Sequence, residues 1–388
     1  MSLAAALREH APQYLEELEP SESNIQIHRV LQAIMKCRTG ALGGVKWSCT
    51  NCGHTHWTGR SCGNRHCATC GSEKTQSWLD KQSSKLLVGV HHFMVTFTVP
   101  EELRPVLRIH RRAGYEALMN ASSRALIDVA ASTKALKGAR LGFFGVLHTW
   151  GRDLMVYHPH VHYLVPGGGV TYDADGLPSG WKQTPMNFLV HHGTLIEVYK
   201  AKLADELRQC GLYDQVPEDA WKKKFVVDIE AVEDGRSVVA YLAPYVHRVA
   251  ISNHRIKHVD ARSVTYEYVP SKTHQTVSRT VSGQQFVQGF TQHILPAGFR
   301  KVRYHGWMCS SSKTRLEEIR MLVWFALGWI YWMASAIGST DKPSSCPKPK
   351  CERCQAPLQI VQIEFQPVWI EMRNAKIAAR SPPINNSS

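Results

Sequence analysis

The sequence predicts an α+β protein in which an antiparallel sheet is flanked by helices, preceded by a small cysteine-rich domain and followed by a helical C-terminal region. The first observation behind this prediction is a concentration of cysteines and histidines between residues 49 and 70. The second is a middle region in which strand-like and helix-like patterns alternate without regular βαβ order. The third is an apolar, Trp-rich stretch after residue 320.

The size and the charge of the chain limit the kinds of protein that it can be. A length of 388 residues exceeds the usual growth of one hydrophobic core and predicts two or three domains. The net charge of +14 indicates a polyanionic partner, nucleic acid before an anionic membrane surface. The first twenty residues lack the apolar core of a signal peptide, so we expect a cytoplasmic protein. In that compartment, eleven cysteines indicate metal ligands rather than disulfides.

The elements follow from local patterns along the chain. Local patterns predict the helices 4–18, 24–35, 73–87, 193–210 and 238–248, one helix from 283 onward, and a helix-rich insert over 101–137. Alternating apolar residues predict a strand at 92–99, and further strands are expected at 142–150, 161–166, 225–231 and 264–268, of which 161–166 is a continuous apolar run. We expect three regions: an N-terminal region with the cysteine-rich domain (1–90), a catalytic domain (91–305) and a helical C-terminal region (306–388).

Two C-x-x-C pairs form the core of the cysteine-rich block. Cys49 and Cys52 make the first pair, and Cys67 and Cys70 make the second, fourteen residues later. Each pair can present two thiolates to one tetrahedral ion, so the four are predicted to bind one structural Zn²⁺. Four further residues could replace one of these ligands, and the first of them could join a second site: Cys62, His54, His56 and His66. Simple exposed polarity is the preferred interpretation of His54 and His56.

Residues 321–338 are almost wholly apolar and long enough on paper to cross a bilayer. However, Gly328 and Ser335 interrupt the stretch, and charged residues precede it. We therefore expect a helix buried between domains and no contact with a membrane.

A run of histidines opens the strand at residue 161. Residues two apart on a strand share a face, so His160 and His162 project together, about 6–7 Å apart along the strand. Two imidazoles in this position can chelate a divalent ion. A straight strand would place His158 about 13 Å from His162, too far for the same ion. His148 on the preceding strand is therefore the preferred third ligand, and His158 is the alternative if Pro159 bends the chain. Alternatively, the three histidines are simply polar residues at the start of a strand and bind no metal.

A second constellation lies on a predicted helix. Tyr241 and Tyr245 are four residues apart and share a helical face. Ordinary packing is the common role of such a pair, but beside a metal site in a basic chain a phenol can attack a phosphodiester. Pro244 kinks or starts the helix, and Tyr245 is the preferred nucleophile. Basic residues that could hold phosphates nearby, or simply be solvated, are Arg248, Arg255 and Lys257.

Taken together, these motifs resemble the two-tyrosine HUH transposases of insertion sequence 91 type, and the resemblance covers most of the chain. The order and spacing of its segments carry the resemblance: 61–70, 95–100, 147–151, 158–162, 241–253, 293–299 and 304–306. The resemblance implies that His160 and His162 are the HUH pair and that Tyr241 and Tyr245 are the tyrosine pair. It also implies Mg²⁺ or Mn²⁺, nicking of single-stranded DNA at element ends, a 5′-phosphotyrosine with a free 3′-hydroxyl, and rolling-circle transposition.

Two other functions fit parts of the sequence. A replication initiator or relaxase would share the HUH chemistry, but the N-terminal cysteine block argues against both. A zinc-dependent DNA-binding protein without catalysis would share the cysteine block alone. At the C-terminus, Cys351 and Cys354 form one further C-x-x-C pair, and Cys346 and Cys309 are its distant partners for a second zinc site, which we do not expect to form.

Overall fold

The computed structural model describes residues 1–19, 21–247, 250–270, 273, 275–337 and 349–365. In these residues the helices are α1 Leu3–Glu16, α2 Glu22–Met35, α3 Ala68–Ser83, α4 Arg104–Ile109, α5 Arg111–Ser132, α6 His192–Gln209, α7 Glu218–Lys222, α8 Arg236–His247, α9 Gly283–Thr291, α10 Leu316–Leu327 and α11 Trp329–Ile337. The strands are β1 Gly44–Cys49, β2 Thr55–Gly59, β3 His92–Thr98, β4 Ala139–Arg140, β5 Gly142–Trp150, β6 Tyr157–Pro166, β7 Gly168–Tyr172, β8 Pro178–Gln183, β9 Val227–Val232, β10 Ile256–Val259, β11 Ser263–Tyr268, β12 Val277–Ser282, β13 Val302–Gly306 and β14 Leu358–Ile363.

The largest sheet has five antiparallel strands in the order β13-β5-β6-β3-β9. Its middle strand, β6, is buried along almost its whole length, which fits the apolar run that follows the histidines. The ladder between β5 and β6 pairs His148 with His160 and then shifts register before Trp150. Pro159 lies at this irregularity, where its missing N–H interrupts the ladder least.

Side chains alternate between the two faces of this sheet. One face carries Val95, Val161 and Tyr163, which pack in a core with helices α5 and α6. The other face carries Phe144 and Leu164, which pack against α3 and α8. Because alternate residues share a face, the even-numbered histidines of β6 point toward the side that α8 covers.

The N-terminal region has its own core. Helices α1 and α2 pack with Cys37, Cys67 and Cys70, and with apolar residues of α9 and β11. Beside this core, β1 lies between β2 and β14 in a three-stranded antiparallel sheet. The last strand of the described chain therefore pairs with the first.

The α+β class and the helix-flanked antiparallel sheet are confirmed. Every strand and helix expected between residues 92 and 291 is present, with ends that differ by a few residues. The strands that were not predicted are β1, β2, β4, β7, β8, β10, β12, β13 and β14. Several are short and exposed, and they lack the regular apolar alternation that identifies a strand in a sequence.

The expectation of one helix buried between domains was wrong for residues 321–338. The chain breaks at Gly328, whose φ of 51° suits glycine, so that α10 and α11 are separate helices. Ile319 and Val323 are buried, whereas Phe325 is 68% and Trp329 81% exposed. Among the described residues, no helix is long and apolar enough to cross a membrane.

Candidate active site and cysteine clusters

Two neighbouring strands bring three imidazoles together on the α8 side of the sheet. His148 of β5 lies directly opposite His160 of β6, and His162 follows two residues later on the same face. One nitrogen from each ring lies within 4.8 Å of the others. All three side chains are buried. Three imidazoles at this separation can chelate one divalent ion.

His158, the alternative third residue, stays outside this group. Its ring centroid lies 5.0 Å from that of His160, and its own ring lines the same cavity. The shift of register beside Pro159 separates it from the regular ladder that aligns the other three.

Hydrogen bonds fix how two of the imidazoles face the cavity. The Nδ1 atom of His162 lies 2.8 Å from Oγ1 of Thr96, its neighbour on β3. The Nδ1 atom of His160 lies 2.7 Å from the carbonyl oxygen of His158. In the described part of the chain, the buried Nε2 of His162 has no hydrogen-bond partner. This arrangement fits a metal site, because a histidine that binds a metal through one ring nitrogen usually forms a hydrogen bond with the other.

The same burial keeps the imidazoles neutral. It lowers the pKa of His162 to about 4, with a smaller contribution from His158. Burial, followed by the neighbouring imidazoles, lowers the pKa of His148 and His160 well below the usual value. A neutral imidazole at pH 7 has the free lone pair that metal binding requires.

Tyr241 lies beside this cluster. It is on α8, its ring centroid is 6.0 Å from that of His162, and it is 47% exposed. Both residues line a cavity of about 660 Å³, open to solvent on one side. Pro244 lies inside α8 rather than at its start. Tyr245 lies in the same helix, but its side chain is outside the described residues, and Arg248 is outside them entirely.

Two of the predicted phosphate-binding residues are near the cavity. The Arg255 side chain lines it and donates hydrogen bonds to the carbonyl oxygens of Glu267 and Arg152. Lys257 forms an ion pair with Glu267 at 2.9 Å and does not itself line the cavity. Sequence reasoning missed several lining residues because they come from unrelated loops and strands: Thr96, Thr98, Trp150, Arg152, His254, Tyr268 and Thr276. Thr96, Thr98, Trp150 and Tyr268 lie on strands that the sequence predicted, but their position on a strand did not identify them as lining residues.

The single zinc site expected from Cys49, Cys52, Cys67 and Cys70 is corrected by the structure, because the two pairs belong to different clusters. One cluster contains Cys37, Cys62, Cys67 and Cys70. The other contains Cys49, Cys52, Cys351 and Cys354. The second pair stands at the start of α3 in the N-terminal core, whereas the first lies at the tip of the β1–β2 hairpin. We refer to the two sets as the core cluster and the terminal cluster.

The core cluster has the geometry of a closed zinc site. The sulfur atoms of Cys37 and Cys62 lie 3.6 and 3.7 Å from that of Cys70. The sulfur of Cys67 lies 3.8 Å from that of Cys37. A tetrahedral zinc with Zn–S bonds of about 2.3 Å separates its sulfurs by about 3.8 Å. Such a site stabilises the N-terminal region and leaves no ligand position open for chemistry.

The surplus histidines have structural roles. His66 is buried, and its Nε2 accepts a hydrogen bond from the backbone N–H of Leu295 at 3.1 Å. His54 is half-buried in the β-hairpin, with its ring edge-on to that of His56. The Nε2 of His56 lies 3.4 Å from the sulfur of Cys351, so this residue is more than an exposed polar group.

The three buried imidazoles can hold a divalent ion beside a half-exposed phenol, and the chain is strongly basic. Comparisons with known proteins specify the class. A family model described as "Putative transposase" matches residues 142–315, and one described as "Transposase zinc-binding domain" matches residues 6–99. The first range contains the three histidines and Tyr241, and the second contains the whole core cluster.

Two curated relatives agree with these models. The chain is 32% identical to "Putative transposase y4qJ" of Sinorhizobium fredii, over 72% of this chain and 74% of the relative. It is 26% identical to the transposase for insertion sequence element IS801 of Pseudomonas savastanoi pv. phaseolicola, over 74% of this chain and 71% of the relative. No solved structure matches the chain significantly. The chain belongs to the transposases of insertion sequence 91 type. It is therefore a DNA transposase with a zinc-binding domain.

Proposed function

We propose that this transposase cuts and rejoins single-stranded DNA at the ends of its element with a tyrosine nucleophile. The observation that carries the proposal is the position of Tyr241, whose ring packs edge-on at 6.0 Å from that of His162 in a cavity lined by three clustered imidazoles. The cavity has a volume of about 660 Å³, and Arg255 lies on its wall. The net charge of +14 favours the approach of a polyanion.

In the proposed reaction, the phenol oxygen of Tyr241, chosen ahead of Tyr245 because its ring packs beside that of His162, attacks the scissile phosphorus and loses its proton. The bond from phosphorus to the 3′-oxygen breaks, and that oxygen leaves as a 3′-hydroxyl after taking up a proton. The product is a 5′-phosphotyrosine. A Mg²⁺ or Mn²⁺ ion held by His148, His160 and His162 would polarise the scissile phosphate and favour the phenolate. Arg255 binds the adjacent phosphates.

Tyr245 is proposed as the second nucleophile, since it follows Tyr241 by one helical turn on α8. Two tyrosines allow two covalent strand ends to be handled in succession, as a rolling-circle pathway needs. Arg248 and Lys257 are proposed to hold the backbone of the bound strand. The substrate being DNA, we place the protein in the cytoplasm, at the nucleoid when bound.

The test is formation of a covalent protein–DNA adduct. Labelled single-stranded oligonucleotides that tile the DNA on both sides of the coding sequence are incubated with the full chain and Mn²⁺, then separated on a denaturing gel. We expect an adduct with the wild-type protein and none with His160→Ala or the double variant Tyr241→Phe/Tyr245→Phe. Matched controls are Tyr172→Phe and His28→Ala, whose side chains lie away from the cavity.

The variants with one tyrosine replaced show which tyrosine acts first. Loss of the adduct in Tyr241→Phe alone makes Tyr241 the first nucleophile, whereas loss in Tyr245→Phe alone transfers that role to Tyr245. An adduct that survives in the double variant contradicts the proposal. Binding of the oligonucleotides without any adduct, at every metal condition, points to a zinc-dependent DNA-binding protein without catalysis.

A further inference from the structure

The terminal cluster joins the N-terminal region to residues 349–365, the last that the structure describes. Cys52 and Cys354 are 302 residues apart in sequence, and their sulfur atoms lie 3.6 Å apart. The sulfur of Cys49 is 3.4 Å from that of Cys354, and the sulfur of Cys52 is 3.8 Å from that of Cys351. Disulfide sulfurs would be about 2.05 Å apart, so these thiols are not bonded to each other. Their spacing is close to the 3.8 Å or so that a tetrahedral zinc–thiolate site requires.

The backbone around each pair has the same shape. The N–H of Cys49 donates to the carbonyl of His54 at 2.9 Å, and the N–H of Cys351 donates to the carbonyl of Ala356 at 2.9 Å, five residues on in each case. The residue after each second cysteine has a left-handed backbone, with φ of 67° at Gly53 and 61° at Gln355. The chain thus forms two equivalent knuckles that turn their thiols toward one point, as metal knuckles do.

The C-terminal knuckle and β14 bury little apolar surface. Among residues 349–365, Cys351 alone is buried. Strand β14 pairs with β1 along its length, yet Ile360, Val361 and Ile363 are each about half exposed or more. A strand that buries so little apolar surface gains little free energy from docking. The sulfur cluster is therefore the feature that can supply the missing stabilisation.

We propose that Cys49, Cys52, Cys351 and Cys354 bind one Zn²⁺ that fastens residues 349–365 to the N-terminal region. The ion completes a three-stranded ribbon, β14-β1-β2, and two of its ligands lie at or just after the end of β1 while the other two precede β14. His56 stands beside it, and a hydrogen bond from its Nε2 would offset the negative charge of the Cys351 thiolate. The site is structural because four thiolates leave no open position on the metal.

The proposal predicts a pattern of zinc content that no other pairing gives. Zinc is measured by mass spectrometry of the acid-digested full chain after gel filtration. We expect two ions in the wild type, and one ion in Cys49→Ser/Cys52→Ser, in Cys351→Ser/Cys354→Ser and in the quadruple variant. The matched control is Cys210→Ser, an exposed thiol outside both clusters, which keeps two.

Other outcomes overturn the proposal. If Cys49 and Cys52 shared an ion with Cys67 and Cys70, serine at 49 and 52 would remove it while serine at 351 and 354 changed nothing. If each knuckle bound its own ion with other ligands, the quadruple variant would lose one more ion than either double variant. Wild-type zinc content in either double variant equally contradicts the shared site.

A second measurement tests the fastening itself. Hydrogen exchange of the backbone amides of β14 is followed by mass spectrometry in the wild type and in Cys49→Ser/Cys52→Ser. We expect the amides of β14 to exchange at least tenfold faster in Cys49→Ser/Cys52→Ser than in the wild type, although the substituted residues lie about three hundred positions away in the chain. The amides of β6 in the central sheet serve as the internal control and should keep their protection. Unchanged protection of β14 contradicts the proposal.

Discussion

Single side chains decide the chemistry of the candidate site, and the residues around them decide how well those side chains are aimed. The Nδ1 of His162 is held by the hydroxyl of Thr96 at 2.8 Å, which leaves its Nε2 for a metal ion. His160 is oriented in the same way by the carbonyl of His158. The metal ligands proposed from the sequence thus have partners that the sequence did not identify.

Replacing Thr96 with valine tests this orientation, because valine keeps the shape and removes the hydroxyl. We expect the Mn²⁺ concentration that gives half-maximal adduct formation to rise by about 10- to 100-fold, the usual effect of losing such a partner. The adduct yield at saturating Mn²⁺ should stay close to that of the wild type. Thr171→Val on β7 is the matched control, since its hydroxyl bonds only to Ser179 among the interactions described and lies outside the cavity. An unchanged Mn²⁺ requirement in Thr96→Val shows that the hydroxyl does not orient the ligand.

The sequence was most informative where spacing alone determines geometry. Alternation on a strand places His160 and His162 on one face, and the structure brings them together with His148. Spacing could not show which C-x-x-C pairs share one metal site, because every such pair is chemically equivalent. The partners Cys351 and Cys354 lie hundreds of residues from Cys49, and only the pairing of β14 with β1 identifies them.

At the scale of elements, helix α8 carries the tyrosines and packs across the sheet face that holds the histidines. Its inward residues Val239 and Leu242 are completely buried against Phe144, Val146 and Leu164 of the sheet. The distance between Tyr241 and His162 therefore depends on apolar packing one residue away from this proposed nucleophile.

Leu242→Ala should loosen this packing. We expect it to lower the free energy of unfolding by about 2–5 kcal/mol, and adduct formation to fall even at temperatures where the variant is fully folded. The matched control is Leu207→Ala on α6, which is equally buried but packs on the opposite face of the sheet. That variant should lose similar stability and keep adduct formation when folded. Equal activities of the two folded variants would show that α8 does not need this contact to aim its tyrosines.

Element prediction failed where strands are short and lie at the edge of a sheet. Strand β14 is exposed along nearly all its length, so no burial pattern identifies it. For residues 321–337 the prediction erred toward too much burial. Their apolar composition predicts a buried helix, but composition does not show whether other elements lie close enough to cover it. By contrast, β5 and β6 are buried on both faces and were recognised from their continuous apolar residues.

At the scale of the whole molecule, the fold keeps many histidines neutral in its interior. Outside the proposed metal site, His92 and His293 are fully enclosed, and burial lowers the pKa of each to about 4. In the unfolded chain the same side chains have a pKa near 6.5. Between these two values the unfolded state binds protons that the folded state does not.

This difference predicts how stability changes with pH. The stabilisation is complete above pH 6.5 and is lost as the pH falls toward 4, by up to about 1.4 kcal/mol per pH unit for each such imidazole. Urea unfolding of the full chain at pH 7.5, 6.5 and 5.5, at pH values where zinc content is unchanged, should therefore show decreasing stability. His92→Phe removes one of these groups and should make the decrease shallower, whereas His28→Ala, an exposed histidine, should not. A stability that is constant or rises between pH 7.5 and 5.5 would mean that the buried imidazoles take up protons without unfolding.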